Sequence, residues 1–246
     1  MTDTSYTALV VREDAPKTFS QAIEQRQLSE LPAGDVLIKV VYSSLNFKDA
    51  LSATGNPGVS RNFPHSPGID AVGEVVESSD INLPKGMQVV VTGFDLGMNT
   101  AGGLAEYVRV PANWVVPLPA HLTAKESMSY GTAGLTAALM VNALLENDVT
   151  PSGGEILVTG ATGGVGSVAV AILAKLGFDV CAVTGKADQA TFLKGLGANS
   201  VVSRDEIIDE KRPMLKERWA GVIDVVGGSL LSSAIKSTKY TGTVTC

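Results

Sequence analysis

Hydrophobic positions in the first half of the chain fall into short runs separated by turns that contain glycine or proline. Short runs of this kind, rich in β-branched residues, are typical of β-strands. We expect residues 1–125 to form one domain, a partly open β-barrel. The predicted strands are Thr7–Val11, Val36–Val41, Ala71–Glu77, Met87–Thr92, Ala105–Val110 and Trp114–Pro117.

The second half alternates short apolar runs with segments of helical periodicity. This alternation predicts a parallel sheet with crossover helices, so residues 126–246 should form a doubly wound Rossmann-type domain and the fold is α/β overall. We expect the strand order 3-2-1-4-5 within this chain. The predicted elements are helix Ser127–Leu145, strand 156–161, helix 164–176, strand 179–184, helix 187–196, strand 200–203, strand Gly221–Val226, helix Ser229–Lys236 and strand Thr241–Thr245.

A glycine-rich turn joins the first of these strands to its helix. The segment 159–166 fits the dinucleotide fingerprint G-x-G-x-x-G in the register Ala161-x-Gly163-x-x-Gly166, with alanine in the first position. A structural turn is the alternative, but the flanking strand and helix favour a pyrophosphate at the helix N-terminus. The predicted cofactor contacts here are Ala161, Thr162, Gly163, Gly164, Val165 and Gly166.

The end of the next strand indicates which dinucleotide is bound. An NAD site usually has Asp or Glu there, bonded to the ribose 2′-hydroxyl. This chain has Thr184, Gly185 and Lys186 instead, and Arg204 follows the third strand. These groups suit the 2′-phosphate of NADP, although Lys186 and Arg204 taken singly are also typical surface cations. We therefore predict NADP as the cofactor.

Composition and charge exclude several classes of function. The net charge is −6 and the cations are spread along the chain, which disfavours a nucleic-acid partner. No apolar run reaches the ~18 residues of a membrane span, and the N-terminus lacks the features of a signal peptide. We expect a cytoplasmic protein that acts on a small molecule. The two cysteines, Cys181 and Cys246, are predicted to be buried in strands as small core residues.

Four segments, residues 46–49, 67–73, 103–107 and 131–137, resemble signature segments of the medium-chain dehydrogenases/reductases. Three more, residues 43–50, 61–64 and 219–224, resemble the narrower zinc-free, YhdH-type branch, which comprises quinone oxidoreductases associated with NADPH-dependent acrylyl-CoA reduction. The resemblance implies a GroES-like first domain, a Rossmann second domain and NADPH as the reductant.

The resemblance also implies roles for residues of the first domain. A tyrosine that contacts the cofactor usually follows Asn46, but this chain has Phe47, which packs without a hydroxyl. Asn46 and Thr132 are the candidate catalytic residues, for positioning only, and Thr132 also faces the cofactor. With Asn46, the cations Lys48 and Arg61 are candidate contacts of a CoA substrate. No general acid is predicted.

Zinc binding is not expected. Zinc selects thiolate and imidazole ligands, yet residues 1–150 have no cysteine, and their two histidines, His65 and His121, have no partner ligand nearby. Without a Lewis acid, an NADPH enzyme suits reduction of an activated C=C, in which a conjugated carbonyl takes up the charge. We expect reduction of acrylyl-CoA to propanoyl-CoA. The alternatives are quinone reduction by NADPH and a non-catalytic NADPH-binding protein.

Family members continue beyond the fifth Rossmann strand with a sixth strand, which is absent from this sequence, and then return to the first domain. The resemblance therefore implies an intact protein with about 80 more residues, assembled as a homodimer through the sixth strand.

Overall fold

A computed structural model describes residues 4–246, and at residue 187 the backbone alone. The chain forms two compact units that divide between Thr132 and Ala133. The predicted domain boundary, between residues 125 and 126, lies slightly earlier in the same helix. Each unit has its own hydrophobic core.

The first unit, up to Thr132, is built mainly of β-strands. A five-stranded antiparallel sheet has the order β6-β3-β4-β5-β7, and β1 and β2 form a separate hairpin. The elements are β1 (Ser5–Ala15), β2 (Thr18–Gln27), β3 (Val36–Tyr42), helix α1 (Phe47–Ala53), β4 (Asp70–Ser78), β5 (Gln88–Thr92), β6 (Tyr107–Val110) and β7 (Val115–Pro117).

Alternating burial explains why these sequences form strands with one face in the core. In β1, Tyr6, Ala8 and Val10 are buried while the residues between them are partly exposed. Successive side chains of a strand point to opposite faces, so this pattern places one face of β1 in the core. The predicted β-rich first domain is confirmed.

Two elements of the first unit were not predicted. The strand β2 is largely polar and its isoleucine, Ile23, is 70% exposed, so it carries no hydrophobic signal. Its structure depends on pairing with β1. Helix α1 begins after Asn46, whose backbone N–H donates to the Asp49 carboxylate at 2.7 Å. Asp49 therefore acts as a helix cap.

The second unit, from Ala133 onward, contains a parallel sheet of order β10-β9-β8-β11-β12. In chain order this is 3-2-1-4-5, so the predicted doubly wound topology is confirmed. The elements are helix α2 (Ala124–Glu146, which spans the division), β8 (Ile156–Val158), α3 (Gly164–Lys175), β9 (Val180–Val183), α4 (Ala190–Gly195), β10 (Ser200–Val202), β11 (Trp219–Ile223), α5 (Gly228–Lys236) and β12 (Thr238–Thr245).

The three central strands of this sheet are buried along their whole length. This is expected of parallel strands with both faces covered, and it explains their continuous apolar runs. Cys181 lies in β9 and is buried, as predicted. The prediction for Cys246 was wrong: this residue is exposed, because it follows the last residue of β12, Thr245.

The sequence analysis expected no segment with the length and hydrophobicity of a membrane span. Helix α2 does not agree with that expectation. By length and composition alone, Ala124–Glu146 is long and apolar enough to cross a membrane. However, its backbone is not helical at Gly131, so two helices meet there. Beyond this break, Ala137, Val141 and Leu144 are buried in the core cluster that contains β8. One face of the helix therefore packs in the core of the second unit.

His65 gives the first unit a predictable dependence of stability on pH. Its ring is buried, and this desolvation lowers the pKa of His65 below the usual value of about 6.5, although the Gly97 carbonyl beside Nε2 opposes the shift. The unfolded chain therefore binds the proton at a higher pH than the folded chain does. The contribution of His65 to the free energy of unfolding is therefore fully present above about pH 6.5, and this contribution is lost as the pH falls below that value.

We expect His65→Gln to remove this part of the pH dependence, measured as the change in Tm between about pH 7.5 and about pH 5.5. His121→Gln is the matched control, because His121 is exposed and its replacement should leave the profile unchanged. A profile of His65→Gln that is identical to that of the wild type would contradict this account.

Candidate functional site

The glycine-rich turn lies at the carboxyl ends of the parallel strands. The chain leaves β8 at Val158 and enters α3 at Gly164, while β9 and β10 end at Val183 and Val202. In open α/β sheets, ligands bind in the crevice outside these carboxyl ends. The loops that follow the central strands therefore define the candidate site of the second unit.

Close packing fixes the shape of this turn. The N–H of Gly163 donates to the Gly160 carbonyl at 2.9 Å, and the N–H of Ala161 donates to the Val183 carbonyl at 3.1 Å. A Cβ atom added at Gly166 would lie 2.4 Å from the Gly160 oxygen. Only glycine fits there, which agrees with the close approach of helix and strand that the spacing predicts.

The N-terminus of α3 presents backbone donors. Gly163 is the N-cap residue, and no side chain caps the helix at this position. The first hydrogen bond within the helix runs from the Ser167 N–H to the Gly163 carbonyl. The amides of residues 164–166 precede it, so they have no helical acceptor and are aligned with the positive end of the helix dipole. This arrangement suits a phosphate group.

Polar groups after β9 and β10 meet beside this turn. A Cβ atom built on Gly185 would lie 3.5 Å from Cζ of Arg204, so the guanidinium covers this backbone. The Thr184 hydroxyl accepts the Lys186 N–H at 3.0 Å and lies 3.5 Å from the Thr162 hydroxyl. The structure thus brings together the four residues that the sequence proposes for a 2′-phosphate, with Thr162 of the glycine-rich turn beside them.

Sequence reasoning missed a buried carboxylate at the end of β11. Asp224 accepts the Thr159 hydroxyl at 2.6 Å and the Gly227 N–H at 2.7 Å. Thr159 in turn accepts the Val225 N–H at 3.0 Å. These bonds join the glycine turn to the loop after β11. Asp224 belongs to a segment that carries the family resemblance, but nothing in its spacing indicated this partner.

The first unit contains a second polar cluster, centred on Asp70 at the start of β4. Asp70 is fully buried, and its carboxylate accepts hydrogen bonds from Ser44, Asn46 and Thr132. Two of these three, Asn46 and Thr132, are the predicted catalytic residues. The structure therefore brings them together through a residue that the sequence analysis did not assign to the site.

The helix break at Gly131 belongs to the same cluster. Gly131 has φ +50°, and a Cβ atom there would lie 2.6 Å from the Asp70 carboxylate and 2.7 Å from the Ser44 hydroxyl. A glycine at this position lets the chain turn and place the Thr132 N–H on Asp70 at 2.9 Å.

Other predicted residues of the first unit are not drawn into this cluster by any contact that the structure records. Phe47 is 82% exposed, and Lys48 is also exposed. Arg61 lines a separate recess of about 440 Å³ and donates from Nε to the Pro57 carbonyl at 3.0 Å. That recess also contains Arg12, which is paired with Glu24, and two further carboxylates, Glu13 and Asp14.

The histidines stand apart from one another. His65 is buried against the Gly97 carbonyl, whereas His121 is exposed. Within residues 4–246, no three or more His, Cys, Asp or Glu side chains are grouped so that they could hold a metal ion.

Comparison with known proteins identifies relatives of both units. The family model described as the alcohol dehydrogenase GroES-like domain matches residues 32–120, and the model described as zinc-binding dehydrogenase matches residues 164–246. The acrylyl-CoA reductase AcuI of Ruegeria pomeroyi is 46% identical over 241 residues, which are 97% of this chain and 73% of that protein.

Two solved structures resemble the whole chain closely. The YhdH oxidoreductase of Salmonella enterica in complex with NADP has a TM-score of 0.93 and 46% identity, over 97% of this chain and 73% of its own. The YhfP protein of Bacillus subtilis with NAD bound has a TM-score of 0.93 and 44% identity, over 98% and 73% respectively. The two relatives thus carry different dinucleotides.

The contact at Gly166 is testable by substitution. Gly166→Ala should lower the free energy of unfolding by about 1–3 kcal/mol, because the new Cβ meets a backbone carbonyl that must move. Gly195→Ala, in α4, is the matched control: a Cβ there meets nothing within 4 Å, so stability should hold or rise by up to about 1 kcal/mol. Urea unfolding measures both variants, and equal stabilities would contradict the packing argument.

Proposed function

Because the chain belongs to the medium-chain dehydrogenase/reductase family, and within it to the zinc-free, YhdH-type branch that its sequence segments predict, we propose that it reduces the activated C=C of a 2-enoyl thioester with NADPH. The favoured reaction is acrylyl-CoA + NADPH + H⁺ → propanoyl-CoA + NADP⁺. The observation that carries the proposal is the 46% identity to the acrylyl-CoA reductase of Ruegeria pomeroyi over 97% of this chain.

The second unit fits NADP in two respects. The amides at the start of α3 suit the pyrophosphate, with Ala161, Thr162, Gly163, Gly164, Val165 and Gly166 as its contacts. The 2′-phosphate would be bound by Thr184, Gly185, Lys186 and Arg204, where the guanidinium of Arg204 already lies against Gly185. No Asp or Glu directly follows β9, so no carboxylate occupies the position that binds the ribose 2′-hydroxyl in NAD sites. Asp188 lies further on, in the short 3₁₀ turn Ala187–Gln189.

When bound, NADPH would supply the hydride for the β carbon of the substrate. The chain's contribution is positioning, exclusion of water and stabilisation of the negative charge that develops on the thioester oxygen. Asn46 has an amide N–H to donate to that oxygen, Thr132 binds beside the nicotinamide, and the Phe47 ring packs against the cofactor. We name no general acid in the chain, so solvent provides the proton that reaches the α carbon.

The CoA moiety carries phosphates and calls for cations. Lys48, exposed next to Phe47 in α1, is the better candidate. Arg61 is the weaker one, because its recess also holds Glu13 and Asp14, which repel a phosphate. We further propose that the protein is a cytoplasmic, metal-independent homodimer.

One comparison of substrates tests the reaction. We expect steady-state oxidation of NADPH with acrylyl-CoA, followed as loss of absorbance, to give a kcat/KM well above that with a simple quinone. A preference for the quinone would favour quinone reduction as the function. NADPH binding without turnover of either substrate would indicate a non-catalytic NADPH-binding protein.

The choice of cofactor gives a second prediction. Lys186→Ala and Arg204→Ala should each weaken NADPH binding by about 1–3 kcal/mol, the size of a charge-assisted hydrogen bond, and leave NADH binding nearly unchanged. Fluorescence titration of both cofactors measures this. Lys194→Ala is the matched control, since Lys194 lies in the last turn of α4 and should not affect either titration. Equal affinities of the wild type for NADPH and NADH would overturn the assignment.

Metal content gives a third prediction. Elemental analysis of the dialysed protein should find no stoichiometric zinc, and NADPH-dependent turnover should survive a chelator. One zinc per chain with loss of turnover on chelation would overturn the metal-free mechanism.

A further inference from the structure

We propose that Asp224 and Thr159 are positioning residues for the dinucleotide. Together they hold the glycine-rich turn and the loop after β11, residues 225–228, in the arrangement that binds the pyrophosphate. Both residues lie within the second unit, and neither needs to touch the cofactor. Their role rests on the proposed function, because it concerns the site where NADPH would bind.

The two residues lie where the strand order of the parallel sheet reverses. Thr159 follows β8 and Asp224 follows β11, and these strands are neighbours in the order β10-β9-β8-β11-β12. In chain order the sheet grows from β8 through β9 to β10 on one side, and from β11 to β12 on the other. Dinucleotides bind in open α/β sheets at such a point, outside the carboxyl ends of the strands. A bond between Thr159 and Asp224 therefore joins the two sides of this crevice.

Three consecutive amides of the loop after β11 donate to this pair of side chains. The Val225 N–H donates to the Thr159 hydroxyl at 3.0 Å. The N–H groups of Val226 and Gly227 donate to Oδ2 of Asp224 at 3.3 Å and 2.7 Å. The Thr159 hydroxyl donates its own hydrogen to Oδ1 of Asp224 at 2.6 Å. A hydroxyl can donate and accept at once, and both capacities are used here.

Glycines make this loop unfavourable to order. Gly227 and Gly228 have φ of +78° and +62°, in the left-handed region, and a Cβ atom built on either would meet nothing within 4 Å. Glycine loses more backbone entropy than any other residue when its conformation is fixed. The hydrogen bonds to Asp224 offset this loss, so the shape of the loop depends on that carboxyl group.

The loop in turn packs on the first residue of the glycine-rich turn. A Cβ atom built on Gly160 would lie 2.7 Å from Cγ2 of Val225 and 3.1 Å from Cγ2 of Val226. The Gly160 carbonyl accepts the Gly163 N–H at 2.9 Å, and Gly163 is the N-cap of α3. A displaced loop would therefore leave the turn less fixed, and ordering it again on binding would reduce the affinity for a phosphate.

Main-chain bonds already hold the strand ends without this pair of side chains. The Thr159 N–H donates to the Ile223 carbonyl at 2.9 Å, and the Asp224 N–H donates to the Thr245 carbonyl at 2.8 Å. These bonds join the ends of β8, β11 and β12. The side-chain bonds act instead on the loop and the turn, which are the parts of the unit that face the crevice.

Thr159→Val tests the proposal because valine keeps the shape of the side chain and lacks the hydroxyl. Thr159→Ser is the matched control, because serine keeps the hydroxyl. The two probes are NADPH and adenosine 2′-monophosphate, which has a 2′-phosphate but no pyrophosphate. Isothermal titration calorimetry measures the Kd of each probe for each variant.

We expect Thr159→Val to bind NADPH about 10-fold more weakly than the wild type, as for a site that is in its binding arrangement about a tenth of the time. Thr159→Ser should bind NADPH within about threefold of the wild type. Both variants should bind adenosine 2′-monophosphate within about twofold of the wild type, because the residues proposed for the 2′-phosphate follow β9 and β10.

Asp224→Ala removes the acceptors of the loop amides and should change the ratio of the two dissociation constants in the same direction, by about 10-fold or more. Val180→Ala is the stability control, since Val180 is fully buried at the amino end of β9. It should lower Tm without changing that ratio. If Asp224→Ala does not fold, the comparison of Thr159→Val with Thr159→Ser decides alone.

Equal NADPH affinities of Thr159→Val and Thr159→Ser would overturn the proposal. An equal weakening of both probes in Thr159→Val, or the same change of ratio in Val180→Ala, would also overturn it, because the pair would then act only through the stability of the unit. Absence of NADPH binding by the wild type would instead overturn the proposed function, and this role with it.

Discussion

The candidate reaction site depends on the hydrogen bonds that the buried carboxylate of Asp70 accepts. A carboxyl group removed from water is stable only if its oxygens find hydrogen-bond partners, and here Ser44, Asn46 and Thr132 provide them. Residues that are far apart in the sequence are therefore held together in one cluster. The break in helix α2 at Gly131 is part of the same arrangement, because it places the Thr132 N–H on the carboxylate.

The second unit uses a different constraint, which is the distance between backbones. The turn after β8 and the first turn of α3 are so close at Gly166 that a methyl group does not fit. This approach leaves the first amides of α3 facing outward, where a phosphate can bind. A second buried carboxylate, Asp224, ties the turn to the neighbouring loop through Thr159. In each unit a buried acid thus fixes a loop that carries candidate binding residues.

The arrangement of charge also limits the chemistry that is proposed. Arg204 lies beside Gly185 after β9, where the 2′-phosphate is proposed to bind, whereas Arg61 shares its recess with Glu13 and Asp14. A cation is useful for phosphate binding only if its neighbours do not already neutralise it. This distinction separates two arginines that look equivalent in the sequence, and it makes the cofactor site better defined than the CoA site.

Local sequence determined the parallel sheet, its strand order and the glycine turn, because these follow from continuous apolar runs and from the steric needs of glycine. It also placed Thr184, Gly185 and Lys186 in one turn. It missed β2, whose polar sequence becomes a strand only by pairing with β1. It placed Cys246 in the core, although that residue lies just outside its strand. Only the tertiary structure decided that Asp70 joins Asn46 to Thr132, because a hydrogen bond across 62 residues leaves no periodic trace in the chain.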